Sequence, residues 1–310
     1  MQRIKFNQYA AYRIRRDFQV HKGLFIMIIP VLAFYALFHY GPIYGAIIAF
    51  KDFSPGLGIL GSRWVGFENF IKFFTSIHFT RVVGNTLTIN LLALAFGFPA
   101  PIILALIINE VAHSGFKRIS QTSVYLPYFI SMVVVCALVK DFVSISGVVN
   151  VIRQFLGLDA VNLLLSPKYF RTIYITSNIW QYAGWNSIIY LGAISVVDPQ
   201  LYEAAIIDGA GRFRRLFNVT IPGIAPTIII LFILRLGEIM NVGFEKIILL
   251  YNPSIYSTAD VISSFVYRRG LLEMNYSFSA AVGLFNSVIN FIIVISANTV
   301  SRRISESSLW

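Results

Sequence analysis

The chain has 310 residues, of which 57% are hydrophobic and only 13% charged, and its mean hydropathy is +0.72. Soluble domains carry about 25% charge, so this composition excludes an ordinary water-soluble protein and points to an integral membrane one. The net charge of +11 comes from scattered basic residues that flank apolar runs, which fits membrane topology and argues against nucleic-acid binding.

Residues 1–23 form a basic N-terminal segment with Arg3, Lys5, Arg13, Arg15, Arg16 and Lys22. Ile4, Ala11, Ile14 and Phe18 would share one helical face, so an interfacial helix and an unstructured basic tail are both open. No small-residue cleavage site follows the first apolar run, which reads as a retained span. A membrane helix needs about 20 apolar residues. By that measure six spans are expected within 24–300: Leu24 to Tyr40 or on to Phe50, Asn85 to Ile108, Thr122 to Val139, Thr172 to Val197, Ile224 to Met240, and Phe278 to Val300. Pro30, Pro42, Pro99 and Pro101 fall inside or beside these runs and are expected to bend them. Outer segments are expected at 51–82, 140–171 and 241–276, and a short inner loop at 109–121. Six spans place both termini, 301–310 included, on one side, and the flanking basic residues make that side cytoplasmic.

The single cysteine, Cys136, lies in an apolar run and reads as a small hydrophobe. The four histidines lack metal-ligand spacing. There is no GxxxxGK[ST] phosphate loop and no GxSxG elbow, so no enzymatic activity and no bound cofactor are expected of this chain. Energy must come from another subunit or from an ion gradient.

The fourth span is the most polar. Asn178, Gln181, Tyr182, Trp185, Asn186 and Tyr190 offer hydrogen bonds together with ring faces, which suits a sugar. Any one of them could equally be polar glue between helices. In the fifth span Arg235 and Glu238 lie three apart, so on a helix they share a face and can pair. Either a buried structural pair or a cargo contact fits them.

The loop 198–223, DPQLYEAAIIDGAGRFRRLFNVTIPG, is the most patterned stretch. Asp198 can cap a helix whose first position is Pro199. Gly209 and Gly211 end that helix, and Arg212, Arg214 and Arg215 follow. On composition alone it would be a solvated loop. Its spacing is more specific: Glu203-Ala204-Ala205, three residues, Gly209, nine residues, then Val219-Thr220-Ile221-Pro222.

That spacing resembles the EAA loop of ABC-importer permeases, with Val219 and Ile221 as mild departures. The segments FKDFSPG (50–56), WVGFENF (64–70), FPAPIILALIINE (98–110), SVYLPYFIS (123–131), GWNSIIYLGAIS (184–195) and LLYNPSIYSTADVISSFVYRRGL (249–271), and the terminal SSLW, are similar to the carbohydrate-uptake branch that includes polysaccharide and alginate importers. The resemblance covers nearly the whole chain. It implies an all-α integral membrane protein with the six-helix type I ABC importer fold. It also implies a second homologous permease subunit, two ATPase subunits that bind ATP and Mg, an extracytoplasmic solute-binding protein and an oligosaccharide cargo, neutral or acidic. The location would be a bacterial cytoplasmic membrane. By the same resemblance Glu203, Ala204, Ala205, Asp208, Gly209, Arg212 and Pro222 contact the ATPase. A permease of this build for a non-sugar solute, and a gradient-driven carrier, are the alternatives.

Overall fold

The computed structural model describes residues 20–304. The basic segment 1–23 therefore lies almost wholly outside the described residues, as does the terminal SSLW. The architecture is helical: α1 (Lys22–Phe50), α2 (Glu68–Phe74), α3 (Phe79–Asn109), α4 (Ser114–Tyr125), α5 (Met132–Val143), α6 (Val148–Phe155), α7 (Pro167–Ser195), α8 (Pro199–Ile207), α9 (Arg212–Leu236), α10 (Phe244–Leu250), α11 (Ile262–Tyr267) and α12 (Tyr276–Ile304). Between α1 and α2, β1 (Lys51–Asp52) pairs antiparallel with β2 (Arg63–Trp64), Lys51 opposite Trp64. This ribbon and α2 give structure to a segment expected to be an outer loop.

Among the described residues, five stretches are long and apolar enough to cross a membrane: α1, α3, the stretch Met132–Phe155 that joins α5 and α6, α9 and α12. With 29 residues, α7 reaches about 43 Å at 1.5 Å per residue, and its polar side chains set it apart. α7 packs along α3 on one side and against α4, α9 and the turn before α5 on the others, so it is the central element.

Three of the long helices widen by one π-helical turn just before a proline. Ala36–Tyr40 precedes Pro42, Ala93–Gly97 precedes Pro99, and Leu216–Thr220 precedes Pro222. Proline has no N–H to give and its ring crowds the carbonyl four residues back, so a wider turn lets the helix continue. These prolines modulate helices that run on through them.

Three expected boundaries change. The third span is not one helix from Thr122 to Val139. It breaks at Ile130 and Ser131, where the backbone is extended, after the 3₁₀ turn Leu126–Phe129. Pro127 withholds a helical N–H there, and Ser131 caps the next helix through Val134 N. The fifth span ends at Leu236, not Met240, so Glu238 stands in the turn beyond the helix. The segment 241–276 is not an outer loop throughout. Lys246, Ile247, Leu250, Ile255, Val261 and Phe265 are buried, and the first of these bonds to the middle of α7.

Near the start of α3 this segment is tied down by one carboxylate. Asp260 is fully buried and accepts from Arg81 at 3.0 Å and from Arg268 at 2.8 Å. Ser264 Oγ donates to its other oxygen at 2.9 Å. Asn85 donates to the carbonyls of Ser257 and Asp260 and accepts from Arg171 of α7 at 2.8 Å. The Arg268 guanidinium also lies 4.6 Å from the Tyr256 ring centroid. His78, just before α3, accepts at Nδ1 from Arg81 at 3.2 Å. Burial first, and Arg81 next, hold its imidazole below the ordinary value, so the neutral ring accepts from Arg81.

Candidate translocation cavity and coupling loop

The loop 198–223 folds as its spacing predicts. Asp198 accepts from Gln200 N at 2.9 Å and Pro199 starts α8. The helix ends in a Schellman motif: Gly209 N donates to Ile206 O at 3.0 Å and Ala210 N to Ala205 O at 2.8 Å. That closure requires Gly209 in the left-handed region, and its φ is +73°. None of the nine residues of α8 is buried. Glu203, Ala204, Asp208, Gly209, Arg212 and Pro222 are exposed, and Ala205 is half-buried. Leu201, Ile206, Ile207 and Phe213 are exposed too, Ile207 at 85%. The Tyr202 hydroxyl, 3.0 Å from Thr220 Oγ1, fastens α8 to the start of the next span. This short helix with exposed apolar side chains lacks a packing partner among the described residues.

α3, α7, α9 and α10 line an open cavity of about 770 Å³, within the roughly 300–1,000 Å³ of small-molecule sites. Asn178, Tyr182, Asn186 and Tyr190 line it at four-residue intervals along α7, one helical stripe. Arg235 and Glu238 line it as well. They pair at 3.3 Å, and their side chains are 36% and 65% exposed. So the pair faces open space, though across a helix end and not along a helix.

Two expected cavity residues are elsewhere. Gln181 is buried and its Oε1 lies 3.4 Å from Lys246 Nζ. Trp185 stacks on Tyr128 with centroids 4.5 Å apart and planes 3° apart. The broken third span brings Tyr128 over Trp185, so the indole is used for packing. Conversely, Asn90, Asn241, Glu245 and Lys246 line the cavity and were not expected there. The only sequence signal for Lys246 was a lysine inside the apolar run GFEKIILLY.

A helical bundle with apolar, membrane-length helices, an open and partly polar cavity between them and a loop helix without a packing partner among the described residues is the build of a transport permease. The family model described as "binding-protein-dependent transport system inner membrane component" matches residues 97–306, and the chain belongs to that family. A polygalacturonan/rhamnogalacturonan transport system permease protein of Bacillus subtilis (strain 168) is 42% identical over 290 residues, 93% of this chain and 90% of that one. The structure of a bacterial ABC transporter involved in import of the acidic polysaccharide alginate contains a similar chain. It is 47% identical with a TM-score of 0.87, covering 94% of this chain and 99% of that one. A second structure, of a bacterial alginate ABC transporter in complex with an alginate pentasaccharide-bound periplasmic protein, matches at 46% identity and TM-score 0.88, covering 96% and 100%. The fold is therefore the transmembrane fold of type I ABC importers, and the chain is a permease subunit of a transport system that works with a binding protein.

Proposed function

We propose that this chain forms half of the path by which an oligosaccharide or polysaccharide enters a bacterial cell. A second homologous permease completes the path. Two ATPase subunits bind ATP and Mg below it, and an extracytoplasmic binding protein delivers the cargo. The chain lies in the cytoplasmic membrane with both termini inside, and it catalyses nothing itself.

The observation that carries the coupling role is α8, whose residues are all unburied in the isolated chain. Leu201, Ile206 and Ile207 offer it apolar grip, and Ala204 and Ala205 let a partner approach closely. Arg212, Arg214 and Arg215 sit in the first turn of α9, where the helix dipole opposes positive charge. An acidic partner surface would relieve that. The saccharide cargo is supported by the similarity to the alginate importer chain and by a cavity wall that alternates amides with tyrosine rings.

The deciding experiment is ATP hydrolysis by the reconstituted complex with its binding protein and a panel of neutral and acidic oligosaccharides. Stimulation by one saccharide class is expected. No stimulation by any sugar, in an intact complex, assigns the permease to a non-sugar solute. An ATPase that fails to associate at all counts against α8 as the coupling helix.

A further inference from the structure

Lys246 holds a positive charge at the cavity wall that nothing in the described residues neutralises. It belongs to α10, and the residue is 1% exposed. Nζ donates to Asn178 Oδ1 at 2.8 Å and lies 3.4 Å from Gln181 Oε1. The Tyr174 ring centroid is 5.9 Å away. All three partners are neutral, and no carboxylate of the described residues pairs with it within 4.0 Å. The contrast with Asp260 is direct: that buried charge has two opposite ones against it.

A buried ion without a counter-ion is costly, and two amide oxygens leave one ammonium N–H unused. Ionisable groups inside membrane proteins mark substrate paths when they reach a cavity. Lys246 does: it lines the same space as Asn178, Tyr182 and Asn186. The other cavity cation, Arg235, is already paired with Glu238.

We propose that the missing counter-ion is a carboxylate of the cargo. Lys246 is then the residue of this subunit that selects an acidic saccharide, with Asn178 holding the ammonium between successive carboxylates. This rests on the reading of the chain as a polysaccharide permease. A single ammonium held by neutral acceptors suits passage. It attracts each carboxylate, yet does not retain it as a guanidinium pair would, because sites on a path must bind well enough to admit and weakly enough to release.

The test uses the whole importer in proteoliposomes with its binding protein. Two cargoes are compared, a uronate tetrasaccharide and the same oligosaccharide with its carboxyls reduced to alcohols. Lys246→Met is expected to lower uronate uptake about tenfold, the loss of one charge-assisted hydrogen bond. Uptake of the reduced sugar should change far less, and Lys246→Arg should keep most of the uronate uptake. Equal loss for both sugars, or loss for neither, overturns the proposal, provided the ATPase co-purifies as in the wild type. Should the binding protein refuse the reduced sugar, equal uronate uptake by the Met and Arg variants overturns it. Where Lys246→Met does not assemble, Lys246→Gln removes the charge and keeps a donor for Asn178. A wild-type importer that takes up neither sugar fails the polysaccharide reading itself, which is a separate result.

Discussion

The loop 198–223 satisfies its polar groups from near neighbours, whereas the segment 241–276 reaches across the molecule for its partners. Asp198 caps a helix two residues away, and the Schellman closure of α8 spans the six residues from Ala205 to Ala210. Lys246 bonds to Asn178, Asn252 Nδ2 to Leu164 O at 3.1 Å, and Asp260 to Arg81, a partner 179 residues distant. The first region keeps its shape through local rules and leaves its surface exposed. The second is a keystone that ties α10 and α11 to α7 and α3. Charge is therefore cheap to alter in one and expensive in the other.

The sharpest test of that contrast is Asp260→Asn. It leaves Arg81 and Arg268 facing a neutral amide in a buried site, a loss of about 3–5 kcal/mol for a broken buried pair. A steep fall in membrane level and in the melting temperature of the detergent-purified protein is expected. Glu203→Gln on exposed α8 should move stability by less than about 0.5 kcal/mol. If the two variants melt alike, the contrast is broken.

Two glycines sharpen it further, for opposite reasons. A Cβ on Gly184 of α7 would lie 1.8 Å from Val124 O of α4, so Gly184→Ala must push two helices apart. Overpacking of this kind costs about 1–3 kcal/mol, read as a lower melting temperature. Gly209 has open space around it but a φ of +73°. Gly209→Val strains the turn after α8 by about 1–2 kcal/mol. Protein level should hold while binding-protein-stimulated uptake falls. Normal uptake at equal protein level would remove the coupling role from this turn.

The smallest expected effect concerns His78, beside the Asp260 cluster. Its folded-state pKa is lowered, first by burial and then by Arg81. Below the ordinary imidazole value of about 6.5 the unfolded chain takes up the proton more readily. Stability is therefore full above that pH and declines as pH falls through it. Melting curves between pH 7.5 and 5.5 should show this decline, and His78→Gln should flatten it. An unchanged slope in the variant would place the pH sensitivity elsewhere.

Much of α8 and its loop was legible in the sequence because each step depends on residues close in the chain. Asp-Pro starts a helix, Gly209 stops it, and the EAA spacing identifies the family. The apolar runs located the first, second and sixth crossings for a similar reason, since a bilayer reads composition over about 20 residues. Of the six polar and aromatic candidates that the sequence offers on α7, the cavity selects Asn178, Tyr182, Asn186 and Tyr190, which share one four-residue period.

Only the tertiary structure decided where polar side chains end up. Trp185 was drawn into a stack because the broken third span delivers Tyr128 to it. Gln181 sits beneath Lys246, and Lys246 reaches the cavity because a segment with no long apolar run folds back onto α7. The sequence by itself determined the membrane class, the family and the local shape of the loop 198–223, since these rest on local pattern. Which charges are buried, and which of them find an opposite charge, depends on contacts between residues tens to hundreds of positions apart, and no window along the chain contains them.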